Sequence, residues 1–275
     1  MLDTHNDALR VYEIQVDPEH KEIAIGVLFK HGFNSFEEFD DGQGLEGLRI
    51  WTAPDLTVED VKSWFSFITV SVHPGKEIQS TIDVSRYRDP FRLISTPTLR
   101  TAPTDICLLN GVGFGWGEHE TTQMGLDFFS TQHPNLLAGK RVLDFGAGTG
   151  ILSFAAQCCG AQDIDAIEID SASFHTLKNN IEVNQGTAQL NCSRQLNDIH
   201  KGYDLIVANI YLNVLKRELP TLIEMLNSKG RLWVSGYPHT AHREIEAVAS
   251  DHDMVLESTA QLGEWHSAVF LRLSK

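Results

Sequence analysis

Apolar positions change period several times along the first seventy-odd residues, and each change predicts an element. Leu9, Val11, Ile14 and Val16 alternate with polar residues, with one slip, which predicts a half-buried strand over Leu9–Val16. Asp17 can cap a helix, Pro18 suits its first turn and Gly32 its end, with Ile23, Val27 and Leu28 forming the stripe between. Phe33–Phe39 and Leu48–Thr52 read as short strands, separated by the Asp40–Asp41–Gly42 turn and a glycine-rich loop. Thr57 and Asp60 form a capping box ahead of Val61, Trp64, Phe65 and Ile68 at helical spacing. Thr69–Val72 is a last strand before His73–Pro74–Gly75. Strand, helix, strand, strand, helix, strand is the split βαβ order, a small α+β layer of helices on an antiparallel sheet over residues 1–75.

Residues 76–110 carry Pro90, Pro97 and Pro103 among scattered polar residues and read as a connector with some structure of its own. From there strands and helices alternate, the mark of an α/β parallel sheet covered on both faces. The strands are Arg141–Phe145, Ile164–Ile169, Leu205–Ala208 and Arg231–Ser235. The helices are Ile151–Gly160, the polar Ser171–Asn184, and a stretch after Ala208 interrupted at Pro220. Met254–Glu257 and Ala268–Leu273 flank Gly263 and read as a terminal pair added to that sheet.

Charge narrows the partners. Lys and Arg total 22 against 37 Asp and Glu, a formal net charge of −15, and no basic cluster offsets it. Such a surface repels nucleic acid and favours a basic partner. Four cysteines, Cys107, Cys158, Cys159 and Cys192, make no C-x-x-C pair, so neither a zinc site nor a disulfide framework is expected, and a reducing cytoplasm fits. The acidic N-terminus is no signal peptide, and no apolar run approaches the roughly 18 residues of a membrane helix.

The chemistry sits at strand ends. Val142–Leu143–Asp144–Phe145–Gly146–Ala147–Gly148–Thr149–Gly150 runs a buried strand into three glycines and a helix. Tight turning and close approach of a ligand call for glycine. The spacing is G-x-G-x-G after an acid, whereas dinucleotide enzymes show G-x-G-x-x-G; it points to S-adenosylmethionine, with Asp144 orienting the turn and the ligand's ammonium group. Glu168, 22 residues after Gly146, ends the next strand, where a carboxylate can accept both ribose hydroxyls. Asp170 is its competitor and reads more readily as a helix cap. Asn209, directly after an apolar strand, can hold an acceptor amine through its side-chain oxygen, in line with a sulfonium methyl. Ahead of the sheet, Gly113, Gly115 and Gly117 argue against regular structure, and His119 to Thr122 can line a pocket; His119 has no partner at metal-ligand spacing.

Four segments resemble the ribosomal protein L-eleven methyltransferases, the PrmA family: the loop Gly111–Thr122, the turn Asp144–Leu152, Glu168–Ile169–Asp170 and Ala208–Asn209–Ile210–Tyr211. Ser235–Gly236 and Gly263–Glu264–Trp265 fall where that family has similar short signatures. The resemblance is specific from Gly111 onward. It implies a Rossmann-like S-adenosylmethionine-dependent catalytic domain over 111–275, preceded by a ferredoxin-like domain that holds the substrate. It also implies cofactor contacts from Thr122, Gly146, Glu168 and Asn209, with His119 close by; the turn itself adds Asp144 and Gly148 as cofactor-binding candidates. The implied substrate is ribosomal protein L-eleven, methylated on lysine side chains, with its terminal amine a further candidate. No metal is implied.

The chain departs from the family pattern at several positions. Trp116 replaces a small threonine beside the cofactor and Glu168 replaces aspartate. Tyr211 and Tyr237–Pro238 replace aliphatic residues near the presumed substrate channel. Rival readings are a methyltransferase of another protein or small amine, a silent binding module, and a nicotinamide oxidoreductase. For the general base the sequence offers Glu120 and His119.

Overall fold

The computed structural model describes residues 10–31, 37–40, 46–52, 56–74, 87–88, 90–95, 97–109, 111–131, 137–186, 188–196 and 202–274. Strand β1 (Arg10–Val16) buries Tyr12, Ile14 and Val16 with strict period two, so the slip vanishes once Tyr12 is counted as apolar. Asp17 accepts the Glu19 amide at 3.0 Å, and Pro18 opens a 3-10 turn leading into α1 (Lys21–Lys30). Ala24, Val27 and Leu28, at i, i+3 and i+4, are its buried face; Ile23, expected in the stripe, is 45% exposed.

Next come β2 (Glu37–Asp40), β3 (Glu46–Thr52), α2 (Val58–Trp64) and β4 (Val70–Pro74). Gly32, the start of the Phe33–Phe39 strand and Asp41–Gly42 lie outside the described residues. The capping box forms as expected: the Thr57 amide donates to Asp60 Oδ2 at 2.8 Å and the Asp60 amide to Thr57 Oγ1 at 3.2 Å. The sheet order β2-β3-β1-β4, antiparallel throughout, is that of the split βαβ unit.

The connector region holds a three-stranded sheet of β5 (Tyr87–Arg88), β6 (Phe91–Ile94) and β7 (Asp105–Cys107). Buried Asp105 pairs with Arg92 and accepts the Thr101 and Ala102 amides at 2.6 and 2.9 Å. The Arg92 guanidinium holds its carboxyl well below the usual range. Phe91, Leu93, Ile106 and Leu108 share one apolar core with Val142, Leu152, Phe154, Val207 and Trp233. This part of the connector is therefore continuous with the larger sheet.

That sheet follows from α3 (Glu120–Thr131), β8 (Arg141–Phe145), α4 (Ile151–Cys158), β9 (Asp163–Ile167), α5 (Ser171–Val183), β10 (Gln189–Ser193), β11 (Tyr203–Asn209), α6 (Leu212–Met225), β12 (Leu226–Pro238), α7 (His242–Ser250), β13 (Met254–Leu262) and β14 (Trp265–Arg272). Its order is β10-β9-β8-β11-β12-β14-β13, parallel from β10 to β12, with β14 antiparallel to both neighbours. One core lies under α3 and α4, the other under α6 and α7. The chain moves outward from β8 to β9 and β10, then returns to β11 on the other side. Strand order reverses beside β8, and in such Rossmann-like sheets the ligand crevice opens at the carboxyl ends there.

The interruption expected at Pro220 does not occur. α6 runs through it, because Leu215, Leu219, Leu222 and Ile223 bury one continuous stripe. Each contributes about 1.5–3 kcal/mol, against roughly 3 kcal/mol for an internal proline. Among the described residues no helix is long and apolar enough to cross a membrane.

Candidate active site

The turn after β8 is built by Gly146, Gly148 and Gly150, at φ +81°, +55° and +85°. These values suit glycine. The amides of Gly146 and Ala147 both donate to the Ile167 carbonyl at 2.9 Å, tying the turn to the end of β9. A Cβ on Gly146 would strike Ile210 Cγ2, and one on Gly148 the Phe114 carbonyl. The close approach that demands glycine is thus made by the chain's own loops. Phe114 O also accepts the Thr149 amide at 2.9 Å. A backbone carbonyl therefore covers the entry to α4, where a dinucleotide's pyrophosphate would need free amides.

Glu168 is buried beyond β9. Its Oε2 accepts the Gly148 amide at 2.9 Å and its Oε1 the Asp170 amide at 2.8 Å. Burial pushes its pKa up to about 7, opposed by those two amides and reinforced by Asp170 and Asp144. Asp170 caps α5, accepting the Ser173 amide at 2.8 Å, the helix-cap role the sequence offers for it. Asp144 lies beneath the turn, fully buried, with the Ser153 hydroxyl donating to it at 2.6 Å; burial pushes it up to about 6.

Asn209 is the last residue of β11, half-buried, and its side-chain amide has no hydrogen-bond partner among the described residues. Ile210, which follows, packs on Gly146, and its amide donates to the Ser235 carbonyl at 3.3 Å. Asn209 is thereby set beside the turn.

The 111–119 segment closes over these strand ends, and the regular structure argued against there begins at Glu120, so Thr121 and Thr122 are helical. His119 starts the helix: its Nδ1 accepts the Thr121 amide at 3.2 Å and lies 2.9 Å from Thr121 Oγ1. With Nδ1 accepting, the neutral ring carries its proton on Nε2. Burial lowers its pKa, with Glu120 opposing. Its ring meets Phe114 and Trp265 edge-on, centroids 4.9 and 5.0 Å apart. Trp116 turns inward, its Nε1–H donating to the Gly113 carbonyl at 2.8 Å. Thr122 is fully buried, and its hydroxyl has no partner among the described residues. Tyr237, expected near a substrate channel, is fully buried in the core under α7. Tyr211 is exposed at the start of α6.

The structure thus joins Gly148 to Glu168 directly, Gly146 to the end of β9 through Ile167, Asn209 to the turn through Ile210, and His119 through Phe114, with Asp144 close enough to Glu168 to act on its charge. No hydrogen bond links Thr122 to them. Sequence reasoning missed Thr149, Ser153, Thr176 and Asn180, buried polar residues that hold the turn and the loop. The available signal was the i, i+4, i+8 spacing of Thr176, Asn180 and Asn184 on a helix read only as polar.

Bonding capacity remains for a guest at the unpartnered Thr122 hydroxyl, the Asn209 amide and the free lone pairs of Glu168. Asp144, Glu168 and Asp170 put three carboxyl groups at this end of the sheet. The donor set fits a guest with paired hydroxyls and a cationic centre. Fold and site define an S-adenosylmethionine-dependent methyltransferase. The family model "Ribosomal protein L11 methyltransferase (PrmA)" matches residues 92–272, and the chain belongs to that family. Similar proteins include ribosomal protein L11 methyltransferases of Thermotoga neapolitana, 27% identical over 95% of this chain and 97% of its own, and of Pelobacter propionicus, 32% identical over 80% and 79%. Among solved structures, a ribosomal protein L11 methylase from Lactobacillus delbrueckii subsp. bulgaricus aligns with TM-score 0.56 at 26% identity, covering 70% of this chain and 97% of its own.

Proposed function

We propose that this chain transfers methyl groups to lysine amines of ribosomal protein L11, with the terminal amine a second acceptor. The carrying observation is the crevice where the turn after β8, Glu168 and Asn209 adjoin, in a chain whose relatives bear that substrate in their names. S-adenosylmethionine supplies a methyl group bound to a cationic sulfur. Glu168 accepts the two ribose hydroxyls, the Gly146–Gly148 backbone and Asp144 receive the methionine portion, and Thr122 offers its unpartnered hydroxyl. His119 stands beside them as an Nε2–H donor, and this tautomer disfavours it as the base.

Asn209 Oδ1 accepts an N–H of the incoming amine and aims the nitrogen lone pair in line with the carbon–sulfur bond. The nitrogen–carbon bond would form as that bond breaks with its electron pair left on sulfur as a neutral thioether, one ammonium proton having passed to solvent beforehand. An unperturbed lysine has a pKa near 10.4, so it must shed a proton before attack. A cationic sulfur beside the amine lowers that value.

In this reading residues 1–75 present the substrate, 76–110 connect, and 111–275 catalyse. Activity is cytoplasmic. The acidic surface engages a basic protein without direct contact to nucleic acid. Incubating the protein with methyl-labelled S-adenosylmethionine and total ribosomal protein tests this. Label is expected in the L11 band; label confined to another band, or none in any, would overturn the assignment.

A further inference from the structure

We propose that Asn180 is a positioning residue. Its amide locks the cofactor turn to the chain segment entering the 111–119 loop, so that cofactor binding and docking of residues 105–112 reinforce each other. The inference rests on reading the turn as the S-adenosylmethionine site.

Asn180 is fully buried on α5. Its Nδ2 donates to the Thr149 carbonyl at 2.9 Å and its Oδ1 accepts the Leu109 amide at 2.9 Å. Thr149 carries the connection onward: its amide donates to the Phe114 carbonyl at 2.9 Å and its hydroxyl to the Gly115 carbonyl at 2.5 Å. One helical turn earlier, Thr176 Oγ1 accepts the Val112 amide at 2.9 Å. One turn later, Asn184 donates to the Cys107 carbonyl at 2.6 Å, and its Oδ1 accepts the Cys107 amide and the Arg100 guanidinium, each at 2.8 Å. The same helix begins at Asp170, whose amide bonds Glu168. α5 therefore carries the neighbour of the ribose acid at its start and the connector's hydrogen bonds along one face.

An apolar face would bury Cys107, Leu109 and Val112 as well, but it would leave their backbone groups without partners and their register free. A carboxamide donates and accepts in opposite directions, so Asn180 satisfies the turn and the connector simultaneously. Whatever orders Thr149 then favours the docked connector, and by reciprocity the docked connector favours the guest.

Hydrogen exchange on the full chain reads this coupling. In the wild type, saturating S-adenosylhomocysteine should slow exchange at Leu109 and Val112. Asn180→Leu keeps the branched shape and removes both bonds; it should abolish that protection and weaken S-adenosylhomocysteine binding roughly three- to thirtyfold. Tyr203→Phe is the comparison. It deletes a buried bond from Tyr203 to Asp165 Oδ2 (2.6 Å) at the opposite end of β11 from Asn209, and should lower stability while holding affinity within about twofold. If Asn180→Leu fails to fold, Thr176→Val, which removes one acceptor and keeps the shape, carries the same comparison at Val112. Unchanged protection in a folded variant, or an equal affinity loss in Tyr203→Phe, overturns the proposal alone. A wild type that binds no S-adenosylhomocysteine overturns it together with the cofactor reading.

Discussion

The Gly148 amide donates to Glu168 Oε2 at 2.9 Å, joining the turn after β8 to the acid after β9. Two strand ends thereby act as one unit. The acid is oriented before any guest arrives, and the turn is held by a carboxyl acceptor at the point where the Phe114 carbonyl comes closest to it. Such an arrangement lowers the ordering cost of binding, because the donors and acceptors already face the crevice.

Gly148→Ala tests whether the glycine serves the chain's own loop. At φ +55° the left-handed conformation alone costs about 1 kcal/mol for a residue with a Cβ, and the clash here is with backbone, which has little room to yield. The variant should lose about 2–4 kcal/mol of stability by denaturant unfolding. It should also bind S-adenosylhomocysteine at least about tenfold more weakly, as expected for loss of a hydrogen bond to a charged group. A variant of wild-type stability would mean the loop is not seated as described.

Burial of Glu168 predicts a pH-dependent cost. Its carboxyl is pushed up to about 7 from an ordinary 4.5, so between those values the folded state holds a proton that the unfolded chain has released. Stability from this group falls as pH rises through that window and is lowest above about 7. Glu168→Gln removes the charge but keeps one acceptor for two amides. It should therefore be more stable than the wild type at pH 8, by about 1–2 kcal/mol after the lost hydrogen bond, with no advantage by pH 4.5. Thermal unfolding at the two pH values checks this; an equal effect at both would assign the cost to something else.

The same acid gives cofactor affinity a direction with pH. In the role proposed for it, ionised Glu168 offers lone pairs to two hydroxyls, and a proton on it removes part of that capacity. Affinity for S-adenosylhomocysteine should fall as pH drops below about 7, by up to about tenfold per unit. Asp144, pushed up to about 6, adds a second decline further into acid. In Glu168→Gln the first decline should disappear from calorimetric titrations; its persistence would exclude Glu168 as the responsible group.

What could be read from the sequence followed from how local each signal is. Val142–Gly150 was legible because a buried strand runs into three glycines within nine consecutive residues and a helix follows directly. The polar edge strand β10 and the helices α3 and α7 were not foreseen. α3 begins at His119, an uncommon cap, and carries Gly125 in its interior, which lowers helix propensity. β6 and β7 are four and three residues long, too short to establish a period. Asn180 and Asn184 looked like solvated helix surface because their partners, Leu109 and Cys107, lie 71 and 77 residues earlier. The family resemblance puts Tyr237 near a channel, whereas its facing near the end of β12 puts it in the core under α7. Periodicity finds faces; it does not find which distant backbone an amide will satisfy.

Asn209→Ala separates orientation of the acceptor from binding of the cofactor. The Asn209 amide has no hydrogen-bond partner among the described residues, so its removal leaves no buried group of the chain unsatisfied, and stability should change by less than about 1 kcal/mol. S-adenosylhomocysteine affinity should fall by less than about tenfold, the value of one neutral hydrogen bond. Turnover should fall by about a hundredfold or more, because in-line attack loses the group that holds the nitrogen. The chemical step, measured in single turnover with labelled S-adenosylmethionine, should carry that loss while substrate KM shifts little. Asn209→Asp keeps an acceptor oxygen at the same place, so it should recover part of the rate if acceptance by Oδ1 is the role. Equal losses of affinity and turnover in Asn209→Ala, with no recovery in Asn209→Asp, would assign Asn209 to holding the cofactor rather than the amine.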